Sequence, residues 1–342
     1  MDLTLDSYKN SCIVQLTNAF TTQVNALQRQ LYTNINAVNR MRINSRLKTS
    51  YIKVFISRHN VNVSNLRAKL AADIKAVHLL TVVPGSKSTK NALLIGINYR
   101  GTSSELYGCI NDTKNVSALL EQKFGYKSCV FLTDDSLKKP TKQNIIGELS
   151  NLLAQSVTGD CLFLLYSGHG TCTADLNRDE LDGQDELIVP IDATSIHSCI
   201  LDDELNQIIL TGLKPGVKLF ALFDSCFSGT MLDLKYNYLD GLNIHPTTNP
   251  TVLETAGQVI MISGCMDSQT SADTYVNYGG QNMGSGAMTF AFLTTIERLG
   301  TNITLKTLVE SMRTILRDNG FTQIPQLSCG QALDINVTTL TF

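Results

Sequence analysis

From Asn91 onward the chain alternates short apolar runs with stretches of helical spacing, and this alternation restricts its possible folds more than any other feature. The apolar runs are 92–97, 128–132, 161–166, 218–223 and 258–262; the helical stretches are 109–124, 141–155, 202–211, 286–299 and 304–318. Strand–helix–strand repetition predicts an α/β fold: a mostly parallel central sheet flanked by helices on both faces. Runs such as CLFLLY (161–166) and LFALF (219–223) lack polar alternation, as expected of strands buried on both sides. In such sheets a ligand site lies beyond the carboxyl ends of the strands.

The segment before this region reads differently. Residues 1–83 place apolar side chains at intervals of three and four, as in Ile43, Leu47, Tyr51, Val54 and Phe55, then Leu66, Leu70, Ile74 and Val77. The expected organisation is a helical N-terminal extension over 1–90, whose last part is a linker at 84–90 beginning Pro84-Gly85-Ser86-Lys87, and a larger domain over 91–342. Charge divides the chain at the same place. Residues 1–90 hold thirteen Lys or Arg against three acids, whereas the remainder holds fifteen against twenty-seven, so the two pieces should attract each other. No aromatic-interleaved basic cluster supports nucleic-acid binding. No run approaches the ~20 apolar residues of a membrane span. Nine cysteines without CxxC pairs suit a reducing compartment and offer neither a disulfide framework nor zinc-site spacing. The expectation is a cytoplasmic monomer without a transmembrane segment.

Two of the central apolar runs end in polar, glycine-rich loops. The first is followed by Ser167-Gly168-His169-Gly170, the second by Asp224-Ser225-Cys226-Phe227-Ser228-Gly229. Parallel strands put both loops on one edge of the sheet. If the strands are neighbours, His169 and Cys226 face each other across ~5 Å. A thiol of ordinary acidity is only a few per cent thiolate at neutral pH, and a nearby imidazole supplies the missing base, then protonates a leaving amine. The N–H groups of Gly170 and Cys226 are candidate oxyanion donors. Taken singly, a cysteine after an apolar strand is usually a small core residue and a lone histidine a satisfied polar group; their equivalent positions at two strand ends favour catalysis.

These motifs, with YGCINDT at 107–113, ISGCMDSQTSAD at 262–273 and GAMTFAF at 286–292, resemble the metacaspases in order and spacing from about Asn91 to the C-terminus. The resemblance implies a caspase-like sheet and a calcium-dependent cysteine endopeptidase cutting polypeptides after Arg or Lys. It makes His169 the base and Cys226 the nucleophile. It places Asp112, Ser167 and Asp224, with Cys109 beside them, in the pocket for the basic side chain. A carboxylate holds a guanidinium by paired charge-assisted hydrogen bonds and a lysine as a point charge. The alternative for Asp112 is an N-terminal helix cap, and for Asp224 a residue that orients the loop around Cys226.

Between Asp175 and Glu204 the chain carries ten acids and one arginine. Converging carboxylates need a cation or solvent, and oxygen donors without His or Cys point to Ca²⁺. The spacing is not that of an EF-hand. The resemblance implies Asp185, Asp202, Asp203 and Asp233 as ligands; a solvated loop with Asp202 capping a helix is the alternative. Phe227 stands where many family members have His. A single basic residue in 235–258 speaks for an arrangement without an internal processed linker, leaving Lys87 and Lys90 as the better cut sites. The basic N-terminal segment is expected to act as an inhibitory pro-region. Competing readings are a peptidase cutting after Asp, whose pocket would need arginines, and a catalytically weak scaffold that binds partners.

Overall fold

The structure is a computed structural model that describes residues 5–78, 88–174, 184–226, 228–229, 231–238, 246–249, 252–264, 273–278 and 281–340. The chain divides into two compact units, Met1–Ser86 and Lys87–Phe342.

The first unit holds two long helices, α1 (Leu5–Arg40) and α2 (Ser45–His78), packed on each other as a hairpin. Asn44 caps α2 by accepting from the Leu47 N–H (2.9 Å), which satisfies one of the donors that a helix start leaves open. Cys12, Leu16 and Val38 are buried along the α1 seam, but of the apolar positions that signalled α2, Leu47, Tyr51 and Val54 face outward.

In the second unit the elements run β1 (Lys90–Gly96), α3 (Cys109–Leu119, continued by a wide turn over Leu120–Phe124), β2 (Ser128–Thr133), α4 (Lys142–Gln155), β3 (Cys161–Ser167), β4 (Gly170–Ala174) and β5 (Gln184–Ile188). There follow β6 (Ile200–Leu201), α5 (Asp202–Gly212), β7 (Lys218–Asp224), β8 (Tyr236–Asn237), β9 (Thr247–Thr248) and β10 (Gln258–Ser263). The last are β11 (Asp273–Tyr278), β12 (Gln281–Gly286), α6 (Ala287–Leu299), α7 (Leu305–Asp318) and β13 (Gln326–Cys329). The central sheet has the order β2-β1-β3-β7-β10-β13-β8-β9. Its first five strands are parallel, and β13 and β8 pair antiparallel. The five apolar runs read from the sequence are these five parallel strands.

Alternation within the strands builds two cores. Phe163 and Leu165 of β3, with Phe220 and Leu222 of β7, point to the face covered by α3, α6 and α7. Leu162, Leu164 and Tyr166, with Leu219, Ala221 and Phe223, point to the face covered by α4 and α5. Phe163 stacks on Phe220 with centroids 5.5 Å apart, and Phe292 of α6 packs on both. Burying each such ring contributes about 1.5–3 kcal/mol.

The start of the sheet domain is more tightly built than a linker running to Lys90 would be. Lys90 is the first residue of β1, its Nζ donates to the Phe124 carbonyl (2.8 Å), and the Thr89 N–H donates to Asp160 (2.7 Å). A cut after Lys90 would fall inside paired strand. Lys87 lies outside the described residues. No disulfide joins two of the described cysteines. No helix among them is long and apolar enough to cross a membrane.

Candidate active site

β3 and β7 are neighbours, in register from Cys161–Lys218 to Ser167–Asp224. Both strands are apolar through Tyr166 and Phe223 and turn polar at the last rung, Ser167–Asp224. The Gly168 N–H still donates to the Asp224 carbonyl (3.3 Å), so His169 and Cys226 each lie two residues beyond the same rung. Gly170 brings the two loops into contact: a Cβ there would overlap the Cys226 carbonyl oxygen, and only glycine fits. His169 and Cys226 are both half-buried, so each keeps a path to solvent.

His169 is held on several sides. Its Nε2 lies 2.7 Å from the Ser104 carbonyl oxygen, which only accepts, so Nε2 carries hydrogen and Nδ1 is left as the basic nitrogen. The Val189 N–H donates to the His169 carbonyl (3.1 Å), which makes Gly170–Ile188 a rung without mutual hydrogen bonds. The Gly170 N–H is therefore turned away from β5.

Behind the loops lie two buried carboxylates, Asp112 and Asp224. Asp112, in the first turn of α3, is fully buried. Its Oδ2 accepts from Ser167 Oγ (2.7 Å) and the Gly286 N–H (3.0 Å), and its Oδ1 from Ser285 Oγ (2.6 Å). α3 begins at Gly108 with no side-chain cap, so Asp112 is not a cap. Asp224, at the end of β7, is buried and accepts from the Thr289 N–H of α6 (2.7 Å), a donor that the helix start leaves free. Gly286 separates the two acids, and a Cβ there would overlap the Asp224 carboxylate. Burial, then the neighbouring Asp224 charge, pushes the Asp112 carboxyl well above its ordinary range, against hydrogen bonds from Ser285, Ser167 and Gly286. Cys109 is buried at the start of α3. The structure thus gathers Asp112, Ser167 and Asp224, with Cys109 on the same helix turn. It adds Ser285, and also Gly286 and Thr289 from the motif GAMTFAF, to which the sequence had assigned no role in the pocket.

A second acidic cluster forms where β5 meets the start of α5. Carboxylate oxygens of Glu186, Asp202 and Asp233 all lie within 4.8 Å of one another. Of the four ligands that the resemblance implied, only Asp202 and Asp233 belong to this triplet. Asp185 and Glu186 are consecutive on β5, so their side chains leave opposite faces, and Glu186 is the one that turns toward Asp202. Asp203 follows Asp202 in the first turn of α5 and lies outside the triplet. Asp202 does not cap α5; its two oxygens accept from the Glu186 N–H (2.6 Å) and the Asp203 N–H (2.7 Å). Its carboxyl is pushed up to about 6, chiefly by burial and also by Asp185, against those hydrogen bonds. Asp233 adopts φ +42°, a left-handed conformation that Asp tolerates better than most residues. The acids Asp175, Asp179, Glu180 and Asp182, and also Phe227 and Cys265, lie outside the described residues.

Residues 90–235 match the model of the metacaspase, peptidase C14 domain. The chain is 38% identical over 302 residues to metacaspase-1 of Kluyveromyces lactis, covering 73% of this chain and 68% of that protein. Against metacaspase-1A of Neurospora crassa it is 38% identical over 299 residues, covering 72% and 64%. Among solved structures, a Geobacter sulfurreducens protein superposes with a TM-score of 0.52 at 22% identity, over 74% of this chain and 98% of that one, a likeness of fold. With the paired strand-end loops, the two buried acids and these relatives in hand, the chain belongs to the metacaspases, a family of cysteine endopeptidases.

Proposed function

We propose that this metacaspase hydrolyses polypeptides after Arg or Lys, with Cys226 as nucleophile and His169 as base. His169 Nδ1 takes the thiol proton and the sulfur attacks the carbonyl carbon before the scissile bond. The oxyanion that forms is met by the N–H groups of Gly170 and Cys226. The imidazolium returns its proton to the leaving nitrogen as the C–N bond breaks, leaving a thioester. Water, deprotonated by the same imidazole, attacks the thioester and regenerates the thiol.

The buried pair Asp112 and Asp224 carries the specificity reading. Two carboxylates closed off behind a nucleophile suit a guanidinium or ammonium group and repel an acidic one. Cys109 and Ser167 complete that pocket, Ser167 by holding Asp112 through its hydroxyl. A panel of fluorogenic peptides ending in Arg, Lys or Asp tests it, beside Cys226→Ala and His169→Ala. Cleavage after Arg and Lys that both variants lose is expected; preference for Asp, or activity surviving in Cys226→Ala, overturns the proposal.

We further propose Ca²⁺ as activator. The donors Glu186, Asp202 and Asp233 are all carboxylate oxygens, and their converging charge suits a hard divalent cation. Bound there, the ion neutralises the cluster and ties β5 to α5; β4, which begins at Gly170, pairs directly with β5. Asp185 and Asp203 stand next to this triplet in the chain as supporting acids. The basic segment 1–90 is proposed as a pro-region that restrains activity until it is removed.

A further inference from the structure

We propose that Tyr99 and Asp134 are positioning residues that hold His169 in its working orientation; the inference rests on the Cys226–His169 reading above. Tyr99 lies in the loop after β1. Its hydroxyl accepts from the His169 backbone N–H (3.0 Å) and donates to the Val189 carbonyl (2.6 Å). Its ring lies against the imidazole, centroids 4.6 Å apart and tilted by 36°. The Tyr166 hydroxyl takes the other backbone group of His169, donating to its carbonyl (2.7 Å). The same loop supplies the Ser104 carbonyl that meets Nε2. One loop therefore holds the histidine by its backbone, by its ring face and by the nitrogen opposite the one that serves as base.

Such a grip needs a loop that does not shift, and the backbone shows how it is held. Tyr99 sits at φ +50°, in the left-handed region, where a bulky side chain is an outlier. A residue remains in that conformation only if its surroundings impose it, and outliers of this kind concentrate at functional sites. Asp134, just past β2, imposes it from both sides: one oxygen accepts from the Asn98 N–H (2.8 Å), the other from the Arg100 N–H (3.1 Å). Thr102 closes the turn by donating from Oγ1 to the Tyr99 carbonyl (2.7 Å). Both hydrogen bonds that the Asp134 carboxylate accepts here come from backbone N–H groups, so it acts on Tyr99 through the backbone. β2, β1 and β3 are successive neighbours in the sheet, so Asp134, Tyr99 and His169 follow three adjacent strand ends.

The test uses the full chain. Tyr99→Phe keeps the ring face and deletes the hydroxyl; Asp134→Asn keeps the size and loses one of two acceptors. Active sites are titrated first with an irreversible thiol reagent, so that rates refer to folded molecules. The readouts are kcat and KM on an Arg-ended peptide, and the rate of iodoacetamide alkylation of Cys226. The expected result is a fall in kcat on the order of 10- to 100-fold in both variants, KM within about twofold, and slower alkylation in parallel. Unchanged kcat and alkylation per titrated site in either folded variant overturns the inference. So does a change confined to KM. Full activity in His169→Ala would instead sink the dyad reading itself, so the two failures are distinguishable. Should Tyr99→Phe not fold, Asp134→Asn decides by the same criteria.

Discussion

Asp112 is fully buried near a second carboxylate, so without a substrate cation it opposes folding when ionised. Its pKa is raised in the folded state. The stability it contributes is therefore complete below the ordinary carboxylate range and is lost as pH rises through the folded value. Asp112→Asn is expected to raise the melting temperature of the substrate-free enzyme by a few degrees at pH 8 and to flatten its decline with pH. The same change should lower kcat/KM on Arg peptides on the order of 100-fold, since a neutral amide no longer faces the guanidinium. Thermal melts from pH 5 to 8 and a kinetic assay check this; a destabilised variant with full activity would contradict it. His169, Cys226, Asp112, Ser167 and Asp224 were legible in the sequence because each sits in or beside a short motif at a predictable strand or helix end. Ser285 and Thr289 were not, since they reach the acids from 173 and 65 positions away along the chain. Tyr99 was missed because its φ and its hydroxyl partners leave no trace in composition.

The five parallel strands were legible for a physical reason: covered on both faces, they are apolar throughout, and such runs stand out between polar turns. β4, β5, β6, β11 and β12 were not. Sequences such as Gly170–Ala174 (GTCTA) and Gln281–Gly286 (QNMGSG) are short and largely polar, and only their antiparallel partners make them strands. That Glu186 converges with Asp202 and Asp233 went unread in the sequence for the same reason. Once β5 is known to be a strand, neighbouring acids part to opposite faces; read as a loop, the segment gives no reason to choose. A prediction belongs to this element pair. Because Asp202 holds its proton up to about 6, the cation must displace that proton below this value. The calcium concentration for half-maximal activity should be nearly constant from pH 8 to 7 and should rise steeply below pH 6, by up to about tenfold per unit. A calcium response that is flat from pH 7 to 5 would argue against Asp202 as a ligand. Glu186→Gln should weaken the response, as a carboxylate in the triplet must.

At the scale of the whole molecule, charge separates the two units as sharply as packing does. Residues 1–86 carry eleven bases and three acids, and 87–342 carry seventeen bases and twenty-seven acids. An inhibitory role for the basic hairpin would then rest largely on attraction between opposite charges, which salt weakens: the screening length falls from about 10 Å at 0.1 M to about 3 Å at 1 M. Raising salt should accordingly activate the full chain. The unit 87–342 expressed alone should start at the higher activity and show no such gain. The comparison controls for salt effects on the pocket, because Asp112 and Asp224 are present in both forms and their attraction for an Arg substrate weakens in both. Steady-state rates of the two forms from 0.05 to 0.5 M NaCl, at saturating calcium, measure the difference directly. Equal rates at low salt, with the same slope against salt, would remove the hairpin from regulation.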